Sequence, residues 1–280
     1  MHRKKVSVGQ RAQDRLEAEI NIRLMDVTRL LKAVDFDTEL HLPAFEIDEF
    51  NVDAEQIAAM LRRTWLVPRE PLKVLVGRME RAGVIVFHAA LDGRAADGVT
   101  VRPPPLQPCV FLNRGQPADR QRFTLAHQFG HIVMHGRPSP EMEDGANAFA
   151  SALLISAADT KSALGLKVTS QKLAALKPIW HVSMNALLFR AKTVVAVTSN
   201  QAQCRWLQLG ALGYWQAKPP ELAFEPEHAP VLSELLRVHL EDPGYTVEDL
   251  CASLHVFELN LLRIHDLPED TKGSHLYIVQ

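Results

Sequence analysis

FTLAHQFGHIVMHG, residues 123–136, places His127, His131 and His135 at successive intervals of four. Residues four apart lie on one face of an α-helix, about 6 Å apart along its axis, so two imidazoles can converge on one ion. A zinc ion with bonds of about 2.0 Å to each imidazole nitrogen is satisfied by such a pair. Spacing alone is a weak signal: a chain with 12 histidines in 280 residues produces a His-x-x-x-His pair by chance about 0.5 times. The surroundings strengthen it. A strongly helical run begins near Asp119, Gly130 permits a close approach between the two histidines, and GRPSP, residues 136–140, stops one helix and starts another. The second helix carries Glu141 and Glu143 near its start. A helix, a turn of about five residues and an antiparallel helix can return a carboxylate to the histidine pair as a third ligand, with a fourth position left open. The alternative for Glu143, an acid placed favourably at a helix N-terminus, applies better to Glu141.

Upstream, VIVFHA (residues 84–89) and CVFLN (residues 109–113) are the strand candidates, separated by Gly, Asp and Pro clusters. Asp53 is a plausible cap for a helix through Ile57, Met60, Leu61 and Trp65, and a short helix follows Pro71 and ends at Gly83. From Arg11 to about Phe36 the apolar residues Leu16, Ile20, Leu24, Val27, Leu31 and Val34 keep the three-and-four spacing of an amphipathic helix. Downstream, helical patterning continues to about Arg190 and, after Thr193, resumes with breaks at residues 218–220 and 242–244.

Composition places the chain among globular proteins: 47% of residues are hydrophobic and 23% charged, with a net charge of −2. A polyanionic partner for the whole molecule is not advertised by that balance. Residues 221–280 hold 12 acidic against 3 basic side chains, a stretch that should repel nucleic acid. Cys109, Cys204 and Cys251 are far apart and form no C-x-x-C pair, so neither a disulfide framework nor a thiolate metal site is implied. The N-terminus lacks the apolar run of a signal peptide and no stretch suits a membrane span, which gives an expectation of a cytoplasmic protein without a membrane partner.

HQFGH is one residue from the zinc-peptidase signature H-E-x-x-H. RQRFTLAHQFGHIVMH (residues 120–135), EDGANAFASALLI (residues 143–155) and LAALKPIWHVSMNALLFRA (residues 173–191) together resemble the ImmA/IrrE family of metallopeptidases. There H-E-x-x-H is followed by E-x-x-A-[ND]-x-F-A-x-x-L-L and then by a helix-turn-helix-like segment. The likeness covers residues 119–192, extending upstream through the strands to Leu72. It implies an α+β, mainly helical zincin-like domain with a small sheet. The organisation expected is an N-terminal helix or linker (1–40), the metallopeptidase domain (41–165), a helix-turn-helix-like segment (166–192) and an acidic helical C-terminal region (193–280).

Carried over by motif, His127, His131 and Glu143 are the implied metal ligands, for zinc with manganese as the alternative. His135 is the reserve ligand, and Arg137 stands where a metzincin would need its third histidine, which excludes that variant. His181 and Tyr214 are weak candidates for stabilising an oxyanion. Zinc peptidases commonly hold an extended substrate on a sheet edge above the metal helix, and Cys109, Val110, Phe111, Leu112 and Asn113 are the expected edge. Gln128 is the departure. It stands where the general base Glu belongs, and an amide cannot accept a proton at neutral pH. One substitution among peptidase-like flanks reads as an inactivated form of an active enzyme, with a natural pseudopeptidase as the alternative. The resemblance implies cleavage of an XRE-type helix-turn-helix repressor of stress, mobile-element or toxin-antitoxin genes, with a DNA or other nucleic-acid activator as a further partner. The non-enzymatic rival is a DNA-binding regulator using residues 170–190, where Lys167, Lys172, Lys177, Arg190 and Lys192 cluster, or using Thr246–His265.

Overall fold

The structure, a computed structural model, describes residues 10–34, 38–43, 45, 53–67, 69–91, 97–136, 140–165, 168–194, 197–211, 223–241, 245–258 and 261. Over these it is an α+β protein, mainly helical, with one three-stranded sheet. The N-terminal helix α1 (Gln10–Leu30) buries Ile20, Val27 and Leu30. It stops short of the Phe36 that periodicity suggested, because Lys32 and Ala33 bond three residues back, to the Arg29 and Leu30 carbonyls. Asp53 caps α2 (Ala54–Thr64) in a capping box: its carboxylate accepts from the Gln56 amide and its own amide donates to the Gln56 side chain. Helix α3 (Leu75–Arg81) ends at Gly83, whose φ of +88° favours a residue without a Cβ.

The sheet contains β1 (Ile85–Ala89), β2 (Gly98–Val101) and β3 (Cys109–Asn113) in the order β1-β3-β2, β1 parallel and β2 antiparallel to β3. This corrects the expected edge. Cys109–Asn113 is the central strand, bonded on both sides and buried at all five positions; among the described residues β1 and β2 are the edges, and β2, with every residue half-buried, is the edge that lies against α4. β2 is only four residues long, and its V-T-V run was masked by the neighbouring Gly, Asp and Pro.

The sheet divides the interior. Val86, Val110 and Leu112 face a core shared with α2, α3 and the helices that follow the sheet. Ile85, Phe87, Cys109 and Phe111 face a second core with α1 and the C-terminal helices α10 (Pro230–Glu241) and α11 (Val247–Leu254), and the Phe87 and Phe111 rings stack at 4.6 Å. On the first side run α4 (Ala118–Met134) and α5 (Met142–Leu154), the most extensively packed pair of elements. Gly130 makes that closeness feasible: a Cβ there would sit 3.0 Å from Phe149 Cδ1 and 3.3 Å from Ala146 Cα. Helix α6 (Ala157–Leu164), α7 (Ser170–Trp180) and α8 (Met184–Thr193) follow, capped by Ser156, Thr169 and Ser183, and α9 (Ser199–Ala211) completes this side. The breaks expected at residues 218–220 and 242–244 lie outside the described residues. Among the described residues no helix is long and apolar enough to cross a membrane.

Candidate metal centre

His127 and His131 sit one turn apart on α4 with their Nε2 atoms 3.0 Å from each other. Glu143, in the first turn of α5, brings Oε2 to 3.5 Å from His127 Nε2 and Oε1 to 3.6 Å from His131 Nε2. A tetrahedral ion with bonds of about 2.0–2.1 Å holds its donors about 3.3 Å apart, so the three side chains fit zinc closely and leave a fourth position open. Among the described residues this is the one group of three that could hold an ion. Glu141 precedes α5 and stands outside the group.

The outer ring nitrogens are also engaged. His127 Nδ1 lies 3.0 Å from Asn147 Oδ1, one turn beyond Glu143 on α5. Donation from Nδ1–H to that carbonyl fixes the tautomer that leaves the Nε2 lone pair for an ion. His131 Nδ1 lies 3.1 Å from His135 Nδ1. His135 is therefore not placed as a ligand: it ends α4 and faces the back of His131. Burial holds the His127 and His135 imidazoles below their ordinary value, against the opposing pull of Glu143. Burial and the neighbouring His127 bring His131 down to about 4. The histidines are thus neutral at pH 7, the form that coordinates metal.

Gln128 points from α4 to β2. Its Oε1 accepts from Thr100 Oγ1 at 2.6 Å, and its Nε2 stands 3.5 Å from the Gly98 carbonyl. Gly98 is pressed onto α4, since a Cβ there would meet Thr124 Cγ2 at 2.7 Å and Gln128 Cγ at 3.5 Å. The Asn113 amide donates to the Asp97 carbonyl. Antiparallel pairing alternates, so residues 97, 99 and 101 bond to β3 while the main-chain groups of Gly98 and Thr100 face the free edge. Arg102, just past β2, donates to the His131 and Ile132 carbonyls at 2.8 and 2.6 Å and so ties the edge to the end of α4.

Residues 79–192 match the family model Peptidase_M78, described as the IrrE N-terminal-like domain. The chain carries an IrrE-like domain. No curated protein matches it in sequence. The matched span runs from α3 to α8 and takes in the sheet, both ligand-bearing helices and the α7–α8 pair. It supports membership of the ImmA/IrrE family and a metal-dependent, peptidase-type domain.

Thr100, Arg102 and Asn147 escaped the sequence reading. Asn147 was legible in principle, as the [ND] of the family motif and four residues from Glu143 on one helix face. Thr100 and Arg102 carried no local signal, because they matter only once β2 lies on α4. His181 does not join the metal group: it ends α7 in the left-handed region, at φ 52°, and stacks on Phe224 at 4.6 Å. Tyr214 and Arg137 lie outside the described residues.

Proposed function

We propose that the IrrE-like domain holds a divalent metal, zinc or manganese, on His127, His131 and Glu143, and receives an extended stretch of an XRE-type helix-turn-helix repressor along β2. In this chain hydrolysis is suppressed by Gln128. One observation carries the reading: a complete, correctly spaced ligand set beside an amide where the chemistry requires a base. When bound, the metal supplies a Lewis acid that polarises a peptide carbonyl.

The chain's own groups account for the rest. The outward main-chain groups of Gly98 and Thr100 can extend the sheet by one strand, an arrangement tolerant of sequence. Gln128 cannot take the proton of an attacking water at neutral pH, and that transfer is typically worth about 10² to 10⁴-fold. Its amide is also suited to its neighbours, with an acceptor for the Thr100 hydroxyl and a donor toward the Gly98 carbonyl. A carboxylate would set a second oxygen against that carbonyl, which favours a domain that grips its partner as the runner-up reading. DNA binding by α7 and α8 is disfavoured because three of their four cations are used inside the fold, Lys192 being the exposed one. Lys177 bonds Asp119, Arg190 binds Glu55 and the Ile155 carbonyl, and Lys172 binds the Leu164 carbonyl.

The test compares the chain with Gln128→Glu, both zinc-loaded and mixed with XRE-type repressors of the same genome. Cleavage by the Glu form alone, about 10² to 10⁴-fold faster, is expected. Equal cleavage by both forms overturns the role of Gln128. Stable capture without cleavage by either selects the pseudopeptidase, and neither capture nor cleavage overturns the repressor as partner.

A further inference from the structure

The metal set leaves over the third histidine of the run, yet that side chain is held in place. His135 ends α4 one turn after His131, its amide donating to the His131 carbonyl at 3.2 Å. Its Nδ1 stands 3.1 Å from His131 Nδ1, and the two ring centroids are 5.1 Å apart. The other side of the ring lies against the start of α5, where a Cβ at Gly145 would come within 3.4 Å of His135 Nε2 and 3.8 Å of Cε1. Both contacts come from the chain itself, so α4 and α5 alone set the place of the ring.

Two ring nitrogens at that distance share one proton, and a neutral imidazole has one N–H and one lone pair. There are two assignments. If His135 donates, His131 accepts at Nδ1, carries its own proton on Nε2 and has no lone pair on the side that faces Glu143. If His131 donates, its Nε2 lone pair is turned toward His127 and Glu143, and His135 carries its proton on Nε2, at the Gly145 side. Only the second leaves His131 Nε2 able to coordinate. His127 reaches the same state by another route, since the acceptor behind it is Asn147 on α5. The two ligands are thus backed by different groups, an amide oxygen from the facing helix and an imidazole from their own.

We propose that His135 is a positioning residue of the metal centre, accepting the Nδ1–H of His131 and so fixing the tautomer and ring orientation in which His131 offers Nε2 to the ion. The inference rests on the metal reading of His127, His131 and Glu143, and it adds a residue that touches neither the ion nor a substrate. It also accounts for the whole His-x-x-x-His-x-x-x-His spacing: the first two rings coordinate, and the third, one helical turn on, backs the second. Leucine at this position would fill the space and offer no acceptor, whereas asparagine can set a side-chain oxygen where Nδ1 stands.

Chelator-competition titration of the full chain would compare the zinc affinity of the parent, His135→Leu and His135→Asn. His135→Leu should bind zinc about 10–100-fold more weakly, and His135→Asn should recover most of that loss. Nitrogen NMR of the zinc-loaded parent should place a proton on His131 Nδ1 and show a scalar coupling across the hydrogen bond to His135 Nδ1. Packing alone does not produce that signal, and it is read on the parent even if His135→Leu fails to fold. Zinc affinity indifferent to His135→Leu, a His135→Asn variant no better than His135→Leu, or no coupling between the two rings overturns the role of His135 and leaves the metal centre standing. No zinc binding by the parent overturns the metal centre, and this inference with it.

Discussion

The two halves of α4 handle polar groups in opposite ways. Toward its N-terminus Asp119 and Arg122 are buried, and each has its countercharge: Lys177 Nζ donates to Asp119 Oδ2 at 3.0 Å, and Arg122 pairs with Glu227. Lys177 also stands over the Phe224 ring at 4.8 Å. Toward the C-terminus His127 and His131 meet Glu143, so two imidazole lone pairs and a carboxylate converge within 3.0–3.6 Å. Such acceptors repel unless a cation joins them. The first set closes on itself and fixes helix against helix; the second is organised around a group that arrives from outside.

The sharpest break of this contrast is on the open side. His131→Ala should abolish stoichiometric zinc, read by metal analysis of the purified protein. It should also remove the stabilisation that zinc gives the parent, about 2.7 kcal/mol at a hundredfold excess over Kd. A variant that still bound one zinc per chain would remove His131 from the site.

On the closed side, Lys177→Met takes the buried cation away from the buried Asp119 carboxylate. A loss of about 3–5 kcal/mol in urea unfolding is expected, with zinc affinity of the folded protein unchanged. Adding Asp119→Leu should recover most of the loss. A single variant as stable as the parent would mean that the pair is not closed in solution.

Asn147→Leu sharpens the comparison, since it spares every ligand and removes only the acceptor behind His127. Such partners typically contribute 10–100-fold to metal affinity, and a competition titration with a chelator would read the change. Unaltered affinity would show that packing alone orients the ring.

How much of this was legible depended on whether the determinant was local. The ligands His127, His131 and Glu143 sit on two helices joined by a short turn, so helical period and a family motif place them together. The Asp53 cap and the Gly130 contact are local in the same sense. β2 was not: its assignment as the edge depends on pairing with β3, eleven residues away along the chain from Gly98 to Cys109. An apolar strand such as β3 reads identically whether it is central or at an edge, which is why Cys109–Asn113 was misplaced there. Thr100 and Arg102 acquire their partners only through that pairing, and the Asp119–Lys177 bond joins residues 58 apart.

The comparison extends to pH dependence, where His131 of the open cluster and the buried Glu80 of α3 pull oppositely. In the metal-free protein His131 is held down to about 4 by burial and by His127, against an ordinary 6.5. Between those values the unfolded chain takes up a proton that the folded one refuses, so this contribution to stability is complete above 6.5 and lost as pH falls toward 4. Glu80, buried beneath the start of α10 with its Oε2 accepting from the Val231 amide at 3.4 Å, is pushed by burial from 4.5 up to about 8. There the folded chain holds the proton more tightly, so that contribution is complete below 4.5 and lost as pH rises through 8. Glu80→Gln, which cannot ionise, should keep the acid-side loss and flatten the alkaline one. Thermal midpoints of metal-free parent, Glu80→Gln and His131→Ala across pH 4–9 would separate the two. An alkaline slope that survives in Glu80→Gln would assign it to another group, whereas an acid-side slope unchanged in His131→Ala would mean that the open cluster reaches pH 4 already relaxed by the other histidines.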